Sequence, residues 1–131
     1  MRASVRREVR IALPADLVWK VVGDPLRVAD WFDGVDSATV DGSSRTVVTR
    51  AGIAMPEEIL TNDSLQRRFQ YRITSPFLRE HLSTIDVFDL GDDTSLVSYS
   101  ADADPASMAL VIAGAAGAAL NNLRRVLEAE S

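Results

Sequence analysis

Few residues in this chain are equipped for chemistry, and most of them lie on segments of alternating pattern. In "MPEEILTND", residues 55–63, Glu58, Leu60 and Asn62 fall on one parity and Glu57, Ile59 and Thr61 on the other. A carboxylate turned toward an apolar interior loses its water, and its pKa rises unless a cation pairs with it. It can then act as a general acid or base. Turned outward, it is a solvated group or half of an ion pair with an arginine. His81 is the only histidine and shares its parity with Ser83, Ile85 and Val87. From an inward position it could hydrogen-bond a ligand carbonyl or shuttle a proton. At a strand rim it is an ordinary polar residue. Tyr71 and Tyr99 sit on the apolar parities of their segments. Each offers a ring for stacking and a hydroxyl for one directed hydrogen bond, or simply core packing.

Other chemistries lack their residues. One histidine cannot build a multi-histidine metal site, and the absence of cysteine removes thiolate ligands, thiol catalysis and disulfides. Gly114 and Gly117 match no nucleotide fingerprint, and no Ser-His-Asp order with a nucleophile elbow can be assigned. No metal and no cofactor are expected.

The candidates must be held by elements, and these read clearly. "SVRREVRIAL", residues 4–13, alternates as a half-buried strand, with Val5, Val9, Ile11 and Leu13 on one face, interrupted by Arg7. "PADLVWKVVGD" then reads as a short helix, with Pro14 in its first turn, Asp16 at its positive end and Gly23 at its exit. Asp24 caps a second short helix, "PLRVADWF". From residue 35 the period changes to two. Turn chemistry at Asp41-Gly42-Ser43, Ala51-Gly52, Asn62-Asp63-Ser64, Ser75-Pro76 and Gly91-Asp92-Asp93 divides strands near 35–41, 44–51, 53–61, 66–74, 80–89 and 94–102. Regular spacing and short turns predict an antiparallel meander. After Pro105, with Asp104 as cap, a helix runs to about Glu128. Its last turns carry a stripe of Leu120, Leu123, Val126 and Leu127. Arg68 and Arg72 fall on the polar parity of their strand and read as solvated.

The expected fold class is α+β: a curved, seven-stranded antiparallel sheet, two short helices and a long C-terminal helix enclosing a cavity. A strongly twisted sheet curls, and a helix across its concave side touches it unevenly. The 131 residues suit one domain, 1–131. The net charge of −5 argues against a nucleic-acid partner. Basic charge is almost all arginine, Lys20 being the one lysine. The basic start "MRASVRREVRIALPAD" lacks an apolar core and is not a signal peptide, and the expected location is cytoplasmic.

The stretch "LPADLVWKVVGDPLRVADWFDGVDSATVDG" resembles the amino-terminal signature of the START-like (SRPBCC) superfamily, in particular its bacterial polyketide cyclase/dehydrase branch. Glu58 and Leu60, Asp63, Arg68 and Tyr71, Val87 and Tyr99 continue the resemblance along nearly the whole chain. His81 stands where Tyr is common, and Tyr99 where Trp is common. The resemblance implies a helix-grip fold with an internal pocket for an apolar or aromatic small molecule. It also implies that the Glu58–Leu60 parity faces inward, and that Trp31 and Phe32 lie by the pocket mouth.

Residues 108–120, "MALVIAGAAGAAL", are uncharged and nearly half alanine. Thirteen helical residues span about 20 Å against a bilayer core of about 30 Å, and Asn121, Asn122 and Arg124 follow at once, so no membrane span is expected. Small side chains here either pack a core helix closely on a sheet or leave a hollow for a guest. The helix is apolar all round, so an outward patch would suit a partner, including a second copy in a homodimer.

The first reading is a binder or carrier of a small hydrophobic molecule: a lipid, polyketide or aromatic metabolite. Its ligand-binding candidates are Trp31, Glu58, Leu60, Tyr71, His81, Tyr99, Ile112 and Ala116. The alternatives are a polyketide cyclase/dehydratase-like enzyme using Glu58 or His81 as acid or base, and an interaction module that uses the alanine-rich helix.

Overall fold

The computed structural model describes residues 1–130. The chain runs through strand β1 (Ala3–Ile11), helix α1 (Ala15–Val22), a 3-10 turn (Pro25–Arg27) and helix α2 (Val28–Trp31). Six strands follow: β2 (Val35–Asp41), β3 (Ser44–Thr49), β4 (Ala54–Asp63), β5 (Arg68–Ile73), β6 (Glu80–Asp89) and β7 (Ser95–Asp104). Helix α3 (Ala106–Glu130) is the last element of the described residues. All seven strands form one antiparallel sheet in the order β1-β7-β6-β5-β4-β3-β2. The meander is as expected, β1 joins it along β7, and the fold is the helix-grip fold.

Local chemistry explains the joints. Gly42 takes a φ of +62° in the β2–β3 hairpin, a conformation that costs glycine little. Asp24 accepts a hydrogen bond from the Leu26 amide at 3.0 Å, and Pro25 opens the turn it caps. Gly23 ends α1 where a Cβ would come within 2.5 Å of the Trp19 ring. Asp104 differs from expectation. It is the last residue of β7, and its carboxylate lies 3.6 Å from the chain's amino terminus. The helix begins only after Pro105.

The concave face carries the core. Val9, Ile11, Phe69, Tyr71, Ile85, Val87, Val97 and Tyr99 point from the sheet toward α1, Trp31 and the buried face of α3. The two halves of α3 do different work on that face. Leu120, Leu123 and Leu127 fill the space over the sheet, whereas Ala109, Ala113 and Ala116 present only methyl groups. Beneath the alanine half, β7 presents Ala101 and Ala103, both buried. Small against small lets the helix approach β1 and β7 closely. By length and composition α3 as a whole could cross a bilayer, because the residues flanking the uncharged core extend it. In the fold one face of it is packed on the sheet.

Candidate functional site

A cavity of about 480 Å³ opens between the alanine half of α3 and the β2–β5 half of the sheet. Its walls are largely apolar. Val35, Val47, Met55 and Ile73 come from the strands, Phe32 from the residue after α2, and Met108, Val111 and Ile112 from α3. Phe77, 78% exposed, and Val111, 64% exposed, stand at its open side. Four buried polar side chains, Arg45, Glu57, Tyr71 and Tyr99, border the same space, as do the more exposed Asp33, Thr49 and Ser75.

Arg45 and Glu57 are direct cross-strand neighbours on β3 and β4. Both are buried, at 4% and 9% exposure. Arg45 Nε donates to Glu57 Oε1 at 2.7 Å, and Nη2 lies 2.7 Å from the same oxygen. Nη1 donates to the Pro25 carbonyl at 3.1 Å. The guanidinium also lies over two rings, 5.2 Å from the Phe69 centroid and 5.1 Å from that of Tyr71. Burial nevertheless raises the Glu57 pKa by more than Arg45 lowers it.

The Tyr71 and Tyr99 hydroxyls are hydrogen-bonded to each other. Burial, reinforced by Glu57, pushes Tyr71 up to about 12, and burial beside Tyr71 raises Tyr99 well above its ordinary value. Both therefore stay protonated at neutral pH. Phe32 and Trp31 meet the Tyr99 ring nearly edge-on, at 6.2 and 6.4 Å between centroids.

The other sequence candidates take different places. Glu58 lies on the outer face of β4, paired with Arg72, its cross-strand neighbour. Leu60 is exposed on that face. The inward expectation fails for both because of a bulge. From Asp63↔Arg68 to Thr61↔Gln70 the hairpin register is regular, and continued unbroken it would set Leu60 opposite Tyr71 and Glu58 opposite Ile73. Instead Ile59 pairs with Tyr71 and Glu57 with Ile73, so Leu60 is the extra residue. One inserted residue flips the faces of everything before it. His81 is buried behind Tyr71, outside the cavity. Its Nδ1 accepts from the Ile73 amide at 2.8 Å and its Nε2 bonds Ser83 Oγ at 2.9 Å. Burial lowers its pKa to about 4, so it is neutral. Ile112 lines the cavity, whereas Ala116 is sealed in the core beside it. Trp31 is buried behind the cavity wall.

The sequence matches, over residues 2–128, the family described as polyketide cyclase / dehydrase and lipid transport. The chain belongs to that family.

Solved structures repeat its fold at low identity. The protein XoxI from Bacillus cereus is 24% identical, with a TM-score of 0.89 over 98% of this chain and 99% of that one. Norcoclaurine synthase from Thalictrum flavum, in complex with dopamine and hydroxybenzaldehyde, is 15% identical, with a TM-score of 0.78 over 100% of this chain and 89% of that one. The di-domain ARO/CYC protein BexL of the BE-7585A biosynthetic pathway is 16% identical, with a TM-score of 0.83. There 96% of this chain covers 46% of that one, so it corresponds to part of BexL. No functionally curated protein matches the sequence.

In this member of the family, sequence reasoning missed Arg45 and Glu57. A signal existed for Arg45, which shares its parity with Val47 in "SRTVVT" and is the one charge on that side. For Glu57 nothing in the sequence announces the bulge.

Proposed function

We propose that this protein binds and carries a small, largely apolar molecule with one polar end, held in the cavity under the alanine half of α3. The observation that supports this most is the cavity itself: about 480 Å³ with largely apolar walls and four buried polar side chains among its lining. That size and lining are what small-molecule sites have. Affinity would come from burying apolar surface, at roughly 25 cal/mol per Å² before the costs of association. The polar residues would orient the guest. The family description, which names lipid transport beside cyclase chemistry, agrees with carriage.

A cyclase- or dehydratase-like enzyme is the second reading, and one observation favours it. Glu57 reaches the cavity with a raised pKa, which is the condition for a carboxyl to move protons near neutrality. In that reading Glu57 takes the role the sequence suggested for Glu58 or His81.

Native mass spectrometry of the purified protein tests the binding reading. A co-purified small apolar molecule, displaced by added naphthalene, is the expected result. Ala115→Trp, which puts an indole where α3 borders the cavity, should weaken naphthalene binding at least about tenfold while the fold persists. Unchanged binding in that variant would place the guest elsewhere.

A further inference from the structure

The cavity's polar end has a fixed hydrogen-bond polarity, and this specifies the guest. The Ile73 amide must donate to His81 Nδ1, because a backbone N–H cannot accept. Neutral His81 therefore carries its proton on Nε2 and gives it to Ser83 Oγ. Ser83 is fully buried and faces Tyr71 across the β5–β6 ladder. Tyr71 and Tyr99 share one further hydrogen bond. The two tyrosines hold two hydroxyl protons and have only this one link between them to spend them on. One tyrosine O–H is left over beside the cavity.

On Glu57, which lines the same cavity, the opposite is in surplus. Glu57 Oε1 takes both contacts from Arg45, while Oε2 receives no hydrogen bond from any described residue. Arg45 is already engaged, through Nε and Nη2 to Glu57, through Nη1 to Pro25, and through its plane to two rings. The site thus offers one spare donor and one spare acceptor, with its positive charge spent.

We propose that the ligand's polar end is a neutral hydroxyl, a phenol or an enol, which gives its proton to Glu57 Oε2 and accepts the unused tyrosine proton. A hydroxyl is the smallest group able to do both. An ether or ketone leaves Glu57 Oε2 unpaired, an ammonium leaves the tyrosine unpaired, and a carboxylate meets Glu57 with no free cation to offset it.

This inference rests on the binding reading, and one probe series separates the two. Affinities of naphthalene, 2-naphthol, 2-methoxynaphthalene, 2-naphthoate and 2-naphthylmethylammonium would be measured at mildly alkaline pH by fluorescence or calorimetry. The expected order puts 2-naphthol first, about tenfold or more above naphthalene and the methyl ether, with the naphthoate weakest. The double variant Tyr71→Phe/Tyr99→Phe keeps the rings. It should reduce the naphthol-to-naphthalene ratio toward one. Equal binding of all five probes, or preference for the naphthoate, overturns the hydroxyl while leaving the cavity reading intact. If none of the five binds, the cavity reading falls and the hydroxyl with it.

Discussion

Glu57 and Glu58 are consecutive residues of β4, and each faces an arginine on a neighbouring strand. Glu57 pairs with Arg45 of β3 on the concave face, where both side chains are buried. Glu58 pairs with Arg72 of β5 on the convex face, where the two side chains are 41% and 49% exposed. The chemistry is the same and the covalent neighbourhood nearly so. What differs is the dielectric around each pair. Outside, water screens the charges, and forming the pair gains little over leaving them solvated. Inside, each ion has lost its hydration and depends on its partner, on the Pro25 carbonyl and on two ring faces. A charge pair is thus nearly irrelevant to stability on one face of a strand and costly to disturb on the other.

The largest effect should come from breaking the inner pair on one side only. Arg45→Leu leaves Glu57 buried without its cation and should cost about 3–5 kcal/mol in urea denaturation. The Glu57 pKa, already raised by burial, rises further when Arg45 is gone. A folded-state pKa above the unfolded value gives stability that is present at low pH and lost as pH rises through the folded pKa. The variant's deficit should therefore grow from mildly acidic toward neutral pH. Removing both partners together, as Arg45→Met with Glu57→Leu, should recover most of the loss. If the double variant is as unstable as the single one, the cost lies in packing and not in an orphaned charge.

A smaller effect tests whether depth alone is enough, without an ion pair. His81 is buried and neutral, with a pKa lowered by burial from 6.5 to about 4. Its unfolded form takes up a proton below about 6.5, and its folded form does so only near 4. Stability should hold above the upper value and fall as pH drops toward the lower one, by on the order of 2 kcal/mol. His81→Gln should flatten that part of the pH profile measured by denaturant titration. A slope unchanged by the substitution would assign the acid sensitivity to other groups.

These contrasts also mark what could be read from the sequence. Element order, strand spacing and the inward set Phe69, Tyr71 and Ile73 follow from alternation and turn residues, which are local. The hollow under the alanine half of α3 follows from side-chain size, which is local too. The polar end of the cavity is not. Its two charged members become neighbours only through the β3–β4 register, and the bulge at Leu60 decides which glutamate joins them. A bulge at that position has no residue signature here: Leu60 is neither a glycine nor a turn former. The resemblance places the Glu58–Leu60 parity inward as a unit, and an insertion that no residue announces puts both residues on the other face.

The smallest effect belongs to the outer pair and completes the contrast. Glu58→Gln or Arg72→Ala should change stability by no more than about 0.5 kcal/mol, with that little reduced further by added salt. Neither should alter binding of naphthalene or of 2-naphthol, since both side chains point away from the cavity across the thickness of the sheet. The measurement is a denaturation midpoint and one affinity for each variant, set beside the same pair for Arg45→Leu. A large binding defect in Glu58→Gln with stability intact would mean that Glu58, not Glu57, turns inward. The bulge at Leu60 would then be absent in solution, and the polar end of the cavity would have to be rebuilt around Glu58.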